Sequence, residues 1–410
     1  MLTGYLLPVQ TALWVFPFVA LLFVLPAAIM GYRRRGRAGG WSALLFYSFV
    51  FYLLAALLQT MMPLPTDIDA HCTVANYSSG GPQLEPLHFA RTVSQGTAGD
   101  WSPQNLVSLT STWTSLFNLL LLLPLGVYLR YYMRQGLLGT TAVALGTSLF
   151  FETTQLTGLW FVYTCPYRQF NVDDLLLNTL GAVLGWLVAG RLGHRLPAIA
   201  PDRERARYGS RVTLPRRFLA YLTDLLGWLV GWTLVTGLVV AATDTTTGRE
   251  FGMQAGTVLG LAWFWLVPAA FGTTPGKRVV RLRIMRPDGS RPGPFRTTVR
   301  CALLHAPLAL GWLLLAERTG MVALPDRAEW LLLAALLPAF VLVWVWSPLA
   351  ALLRGDGRAP YERASGTVNR AVLSRRERGT ATSEEPSADG VPKQLSHEDT
   401  ASGSRPAPGP

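Results

Sequence analysis

Two stretches carry residues that could do chemistry. FETTQ (151–155) sets Glu152 and Gln155 three positions apart, on one face of a helix. RQFNVDDLLLN (168–178) holds Arg168, Asn171, the adjacent Asp173 and Asp174, and Asn178 four positions beyond Asp174. Paired carboxylates can exchange protons as an acid/base pair or hold a cation, and the residue types do not select between the two. Glu152 and Gln155 lie within the last two turns before the outer surface, and Glu152 lies further into the membrane than the aspartates, where an ionisable group is a functional candidate. Arg168 is its expected partner, and a purely structural Glu152–Arg168 pair is the plainer alternative. The plainer reading of the aspartates is that one of them caps the following helix, meeting its unpaired amides and positive dipole end.

A second set lies further along. In RRFLAYLTD, Asp224 follows Arg217 by seven positions, which on a helix is about 10 Å along the axis. Arg217 can extend to the surface, but Asp224 is two turns inside. It reads either as an ion or substrate site or as an interhelical hydrogen bond. GTTPGKR (272–278) is glycine-rich but lacks the spacing of a phosphate-binding loop; it is better read as a tight turn leaving the membrane. KRVVRLRIMRPDGSR alternates apolar and basic residues up to Asp288-Gly289 and predicts a hairpin.

Long apolar helices must position these residues. The 410 residues are 50% hydrophobic and only 15% charged, and many runs reach the length that crosses a bilayer. The chain is expected to be an all-α, polytopic membrane protein of about nine spans. Five lie in a first unit, at roughly 12–30, 41–61, 113–131, 137–158 and 174–190. Four lie in a second, at roughly 218–241, 253–271, 302–316 and 330–349. Arginine-rich loops, GYRRRGRAGG first among them, go to the cytoplasm, which sets the N-terminus outside. The first apolar segment lacks the basic flank and cleavage site of a signal peptide. The expected organisation is 1–195, a basic cytoplasmic linker 196–215, a second unit 216–372 and a disordered tail 373–410.

The net charge of +12 suits cytoplasmic loops and anionic lipid. No basic run is interleaved with stacking aromatics, so nucleic acid is not an expected partner. Of the three cysteines, Cys72 and Cys165 both fall outside. They either form a disulfide, which that compartment permits, or remain two small unpaired hydrophobes. No CxxC or His/Cys grouping suggests a metal, and no cofactor is expected. The loop at 63–112 is polar and is expected to carry short amphipathic pieces on the membrane surface.

The ordered array Asn118, Pro124-Leu125-Gly126, Glu152, Gln155, Arg168, Asp173-Asp174, Asn178, Gly181 and Gly185 resembles the VanZ-like family of bacterial membrane proteins over roughly 10–195. Asn171 stands where that family often has aspartate, and Leu122 where phenylalanine is common. The resemblance implies a helical domain of the bacterial plasma membrane, with low-level resistance to the glycopeptide teicoplanin as its best-known role. A glycopeptide or cell-wall precursor would then be the partner. The second unit resembles the RDD family over roughly 211–372, through Arg217, Asp224, the segment Gly272–Lys277 with Pro275 and Gly276, Asp288-Gly289 and YERASGT. There Glu362 replaces the usual aspartate. That resemblance implies transport of a small solute or ion. A membrane enzyme acting on a lipid-linked substrate ranks last, since no nucleophile–base pair is evident.

Overall fold

In the computed structural model, residues 2–62, 64, 81–166, 168–243, 245–318, 320, 325, 327–353 and 357–373 are described. Cys72, Lys393 and nearly all of the expected tail lie outside them. The first unit is built from α1 (Leu2–Arg35) and α2 (Trp41–Met61), two short surface helices α3 (His88–Thr97) and α4 (Pro103–Ser108), then α5 (Thr110–Leu121), α6 (Leu123–Tyr131), α7 (Leu137–Leu156) and α8 (Val172–Leu192). A linker helix, α9 (Pro201–Tyr208), leads to α10 (Leu214–Ala242) and α11 (Thr245–Leu261). The α11 segment runs on through a π-helical turn, Ala262–Leu266, to Phe271. Then come α12 (Pro275–Val279), strand β1 (Leu282–Met285), α13 (Pro294–Arg318), α14 (Ala328–Phe340), α15 (Pro360–Ala364) and strand β2 (Val368–Ala371). A second π turn, Val341–Trp346, carries α14 on to Leu353.

Among the described residues, eight helices are long and apolar enough to cross a membrane. The protein is an all-α, multi-pass membrane protein. The span expected at 137–158 forms the unbroken helix α7 but is not one of those eight. Threonines, glycines, Glu152 and Gln155 dilute its apolar character, and Thr140, Ser148, Glu152, Thr154 and Gln155 are all buried in the bundle.

Pro124 breaks the third span. The helix interrupts at Leu122 (φ −98°, ψ 4°) and restarts as α6 with the proline in its first turn. The Leu121 carbonyl at the break accepts from the Tyr52 hydroxyl at 2.8 Å, so the backbone oxygen is satisfied from a neighbouring helix. Around the break, Leu122, Leu125 and Leu129 pack with Met61, Ala144, Phe151 and Ala182. Gly181 and Gly185 of α8 bring that helix against the α5/α6 backbone: a Cβ at Gly181 would strike the Leu119 carbonyl oxygen, and one at Gly185 the Leu123 carbonyl oxygen.

The expected hairpin does not form. A turn closes at Asp288-Gly289, with the Gly289 amide donating to the Arg286 carbonyl at 3.0 Å. The chain then meets Pro292, Gly293 and Pro294, which cannot supply a ladder of N–H donors. β1 pairs instead with β2, antiparallel, with Leu282 opposite Ala371 and Met285 opposite Val368.

The linker is structured. Glu204 of α9 accepts from Arg37 at 3.1 Å, and Arg37 also lies over the Tyr208 ring at 4.7 Å. Arg216, 1% exposed, donates to the carbonyls of Arg211, Val280 and Gly209 at 2.8, 2.9 and 3.0 Å. Tyr32 of α1 joins Leu219, Ala220, Val280 and Leu282 in one apolar cluster.

Candidate functional site

The outer cluster is organised by Asn171. Its side-chain oxygen accepts from the Asp173 amide at 3.0 Å, which makes Asn171 the N-cap of α8. Its backbone amide donates to Glu152 Oε2 at 2.9 Å, and its side-chain amide donates to Asp174 Oδ1 at 3.0 Å. Glu152, 3% exposed, is therefore tied to the mouth of α8 through the chain backbone. Arg168 is exposed and acts on Glu152 and Asp174 through space. Asn118 lies within hydrogen-bonding reach of Asp174. Asn178 donates to Ser148 Oγ at 2.9 Å.

Two members of the expected cluster face elsewhere. Gln155 donates to the Thr60 carbonyl of α2 at 2.7 Å. Asp173, 1% exposed, caps a different helix from the expected one. Its two carboxylate oxygens accept from the amides of Leu87 and Phe89, at 2.6 and 2.7 Å, at the start of α3. Beside it, Gln83 pairs with the chain at Asn171, exchanging backbone bonds with Phe170 and Val172 at 2.8 and 3.0 Å. Asp173 thus moors a surface helix, and Asp173→Ala is expected to free it at a cost of about 1–2 kcal/mol. Hydrogen exchange should accelerate at 88–97 and stay unchanged at 110–131; equal protection of α3 in both proteins would refute the mooring.

Cys165 is disulfide-bonded, and Cys301 is free and buried; Cys72 lies outside the described residues. Among the described residues, no group of three or more His, Cys, Asp or Glu is placed to hold a metal ion.

The inner cluster centres on Asp224, 2% exposed. Oδ1 accepts from the Gly276 amide at 2.6 Å and from Trp263 Nε1 at 3.0 Å; Oδ2 accepts from the Thr274 hydroxyl. The segment 272–277 is the tight turn expected. Gly272 takes a left-handed φ of 64°, Thr274 caps α12, and a Cβ at Gly276 would meet Asp224 Cγ at 2.7 Å. Trp263 sits on the first π turn, a local widening that aims its indole at Asp224. Lys277 is buried beside them, and loss of hydration holds its ammonium below the ordinary lysine value, with Asp224 pulling the other way. Arg217 does not end free at the surface: it donates to Glu362 Oε2 at 2.9 Å. Arg300 donates to Glu362 Oε1 at 3.2 Å.

The VanZ/LLP1 family matches residues 49–193 and the RDD family matches residues 211–358. The chain joins a VanZ-like domain to an RDD domain. No curated protein and no solved structure matches it. All of α1 and the linker helix α9 fall outside both matched segments, and Arg37, two residues after α1, donates to Glu204 of α9.

In the VanZ-like domain the residue that sequence reasoning undervalued is Asn171, noted there mainly as a departure from the family pattern. An asparagine just ahead of an apolar helix is a cap signal, and that signal was present. Gln83 and Ser148 carried none. In the RDD domain, Arg216, Trp263 and Arg300 were missed, because nothing in their spacing separates them from other arginines and tryptophans of the chain.

Proposed function

We propose that the VanZ-like domain lowers the cell's exposure to an envelope-active glycopeptide such as teicoplanin, with the outer carboxylate cluster as its working face. The observation that supports this reading is the buried Glu152 bonded to the Asn171 amide, with Asp174 on the same asparagine. Two carboxylates on one rigid cap, with Arg168 exposed nearby, present a fixed charge pattern at the outer end of α8. Transport through the RDD domain is less well supported. Thr274, Gly276 and Trp263 already occupy both oxygens of Asp224, as in a structural tie between helix and loop.

Expression in a susceptible host is expected to raise the inhibitory concentration of teicoplanin a few-fold. Glu152→Gln keeps an oxygen for the Asn171 amide but removes the charge, so it should remain at wild-type abundance while losing the protection. Susceptibility unchanged from vector alone, at confirmed membrane expression, would refute the reading. Protection retained in Glu152→Gln would remove the cluster from it.

A further inference from the structure

A cavity of about 410 Å³ opens beside the N-terminal parts of α10 and α13 and the π turn Val341–Trp346, lined by Arg217, Lys277 and Arg300 among others. Lys277 is 7% exposed. An ammonium has three N–H groups to place, and among the described residues Lys277 Nζ reaches only the Thr274 hydroxyl, at 3.5 Å. Arg300 is 1% exposed, and among the described residues its Nε has no partner, nor has the buried Nε of Arg217.

The carboxylates nearby are already engaged. Glu362 takes one terminal nitrogen from each arginine. Asp224 takes Thr274, Gly276 and Trp263. Three buried or half-buried cations therefore face two carboxylates, leaving one positive charge in excess and several donors unmade. A buried cation without a matched anion is unfavourable, and a basic pocket between helices at the cytoplasmic side suits an anionic headgroup.

We propose that this cavity binds a phosphate group, seated on Lys277 and the guanidinium groups of Arg217 and Arg300 that line it. The source is either an anionic phospholipid or a free phosphate ion, and the walls favour the lipid. Leu304 and Trp344 line the cavity, and Phe218, also in its wall, is 56% exposed. An acyl chain would lie along that apolar wall while the phosphate met the cations. The second π turn carries Trp344 and so shapes this wall. The proposal is independent of the outer cluster and of any effect on glycopeptides.

Full-length protein in a non-ionic detergent tests it, by thermal unfolding with added phosphatidylglycerol, phosphatidylcholine or inorganic phosphate. A rise in Tm with phosphatidylglycerol but not phosphatidylcholine assigns the lipid. A rise with inorganic phosphate, and equal effects of the two lipids, assigns the free ion. No response to either phosphatidylglycerol or phosphate overturns the proposal. Lys277→Met should weaken the response about tenfold in concentration, while Lys277→Arg and the exposed Arg278→Gln should keep it. An undiminished response in Lys277→Met also overturns the proposal. Should Lys277→Met fail to fold, competition in the wild type decides the matter: excess inorganic phosphate should displace phosphatidylglycerol retained in native mass spectrometry. Retention of both lipids alike, insensitive to phosphate, counts against the site.

Discussion

Glu362→Gln should destabilise the RDD domain by about 3–5 kcal/mol, the cost of removing one partner from a buried ion network. The Glu362 side chain is fully buried. Its carboxylate accepts from Arg217 at 2.9 Å, Arg300 at 3.2 Å, Asn369 at 2.7 Å and the Ala359 amide at 3.0 Å. The substitution keeps the shape but turns one oxygen into an amide donor, set against groups that are themselves donors. Two arginines then lose their counter-charge, one of them only 1% exposed. Glu362→Asp keeps the charge but is shorter by one methylene, so it cannot span both guanidinium groups from the same backbone position; an intermediate loss is expected. Thermal unfolding of the full chain checks this, read as kinetic stability if the transition is irreversible. Glu362→Gln melting with the wild type would show that the arginines do not depend on it. A double-mutant cycle with Arg300→Met separates the pair's coupling from the burial of each group.

The same network shows where sequence reasoning stops. Glu362 stood out only as a departure from the family's aspartate, yet it joins α10, α13 and the closing segment through contacts 145 and 62 residues apart in the chain. Such pairings leave no local trace. What was legible is what local chemistry dictates: apolar length gives the spans, Pro124 the break, Gly181 and Gly185 the close approach, and GTTPGK the tight turn. The topology of β1 was misread because the Asp-Gly signal is real but local. The turn forms, and the prolines after it send the strand to a partner some eighty residues on. Asp173 failed in the same way. Its position at a helix start predicts capping, and it does cap, but the amides are those of Leu87 and Phe89 at the start of α3, 86 and 84 residues earlier in the chain. Adjacent arginines make the limit plainest: Arg216 is sunk among backbone carbonyls and Arg217 meets a carboxylate, and only the direction each side chain takes from α10 distinguishes them.

Gly181→Leu should prevent α8 from seating on α5, and it is the most damaging change expected in the VanZ-like domain. The first atom of the new side chain would run into the Leu119 carbonyl oxygen. Helix backbones rather than flexible side chains meet here, so nothing can swing aside, and the cost should exceed the 1–3 kcal/mol usual for overpacking. Gly126 makes the reciprocal contact, since a Cβ there would strike the Ala182 carbonyl oxygen; relief by sliding one helix along the other would only move the clash. Small residues are what let membrane helices approach this closely. Gly146→Leu is the control. A Cβ at Gly146 meets nothing within 4 Å, and loss of a helical glycine should be neutral or slightly stabilising. In detergent, Gly181→Leu is expected to show low yield and early aggregation while Gly146→Leu behaves as wild type. The effect reaches the outer cluster, because α8 presents Asn171, Asp174 and Asn178 from its N-terminal end, and a shift of its axis breaks the 2.9 Å bond from Asn171 to Glu152. Equal stability of the two leucine variants would mean that α8 does not pack by its glycines, and the placement of Glu152 would then need another support.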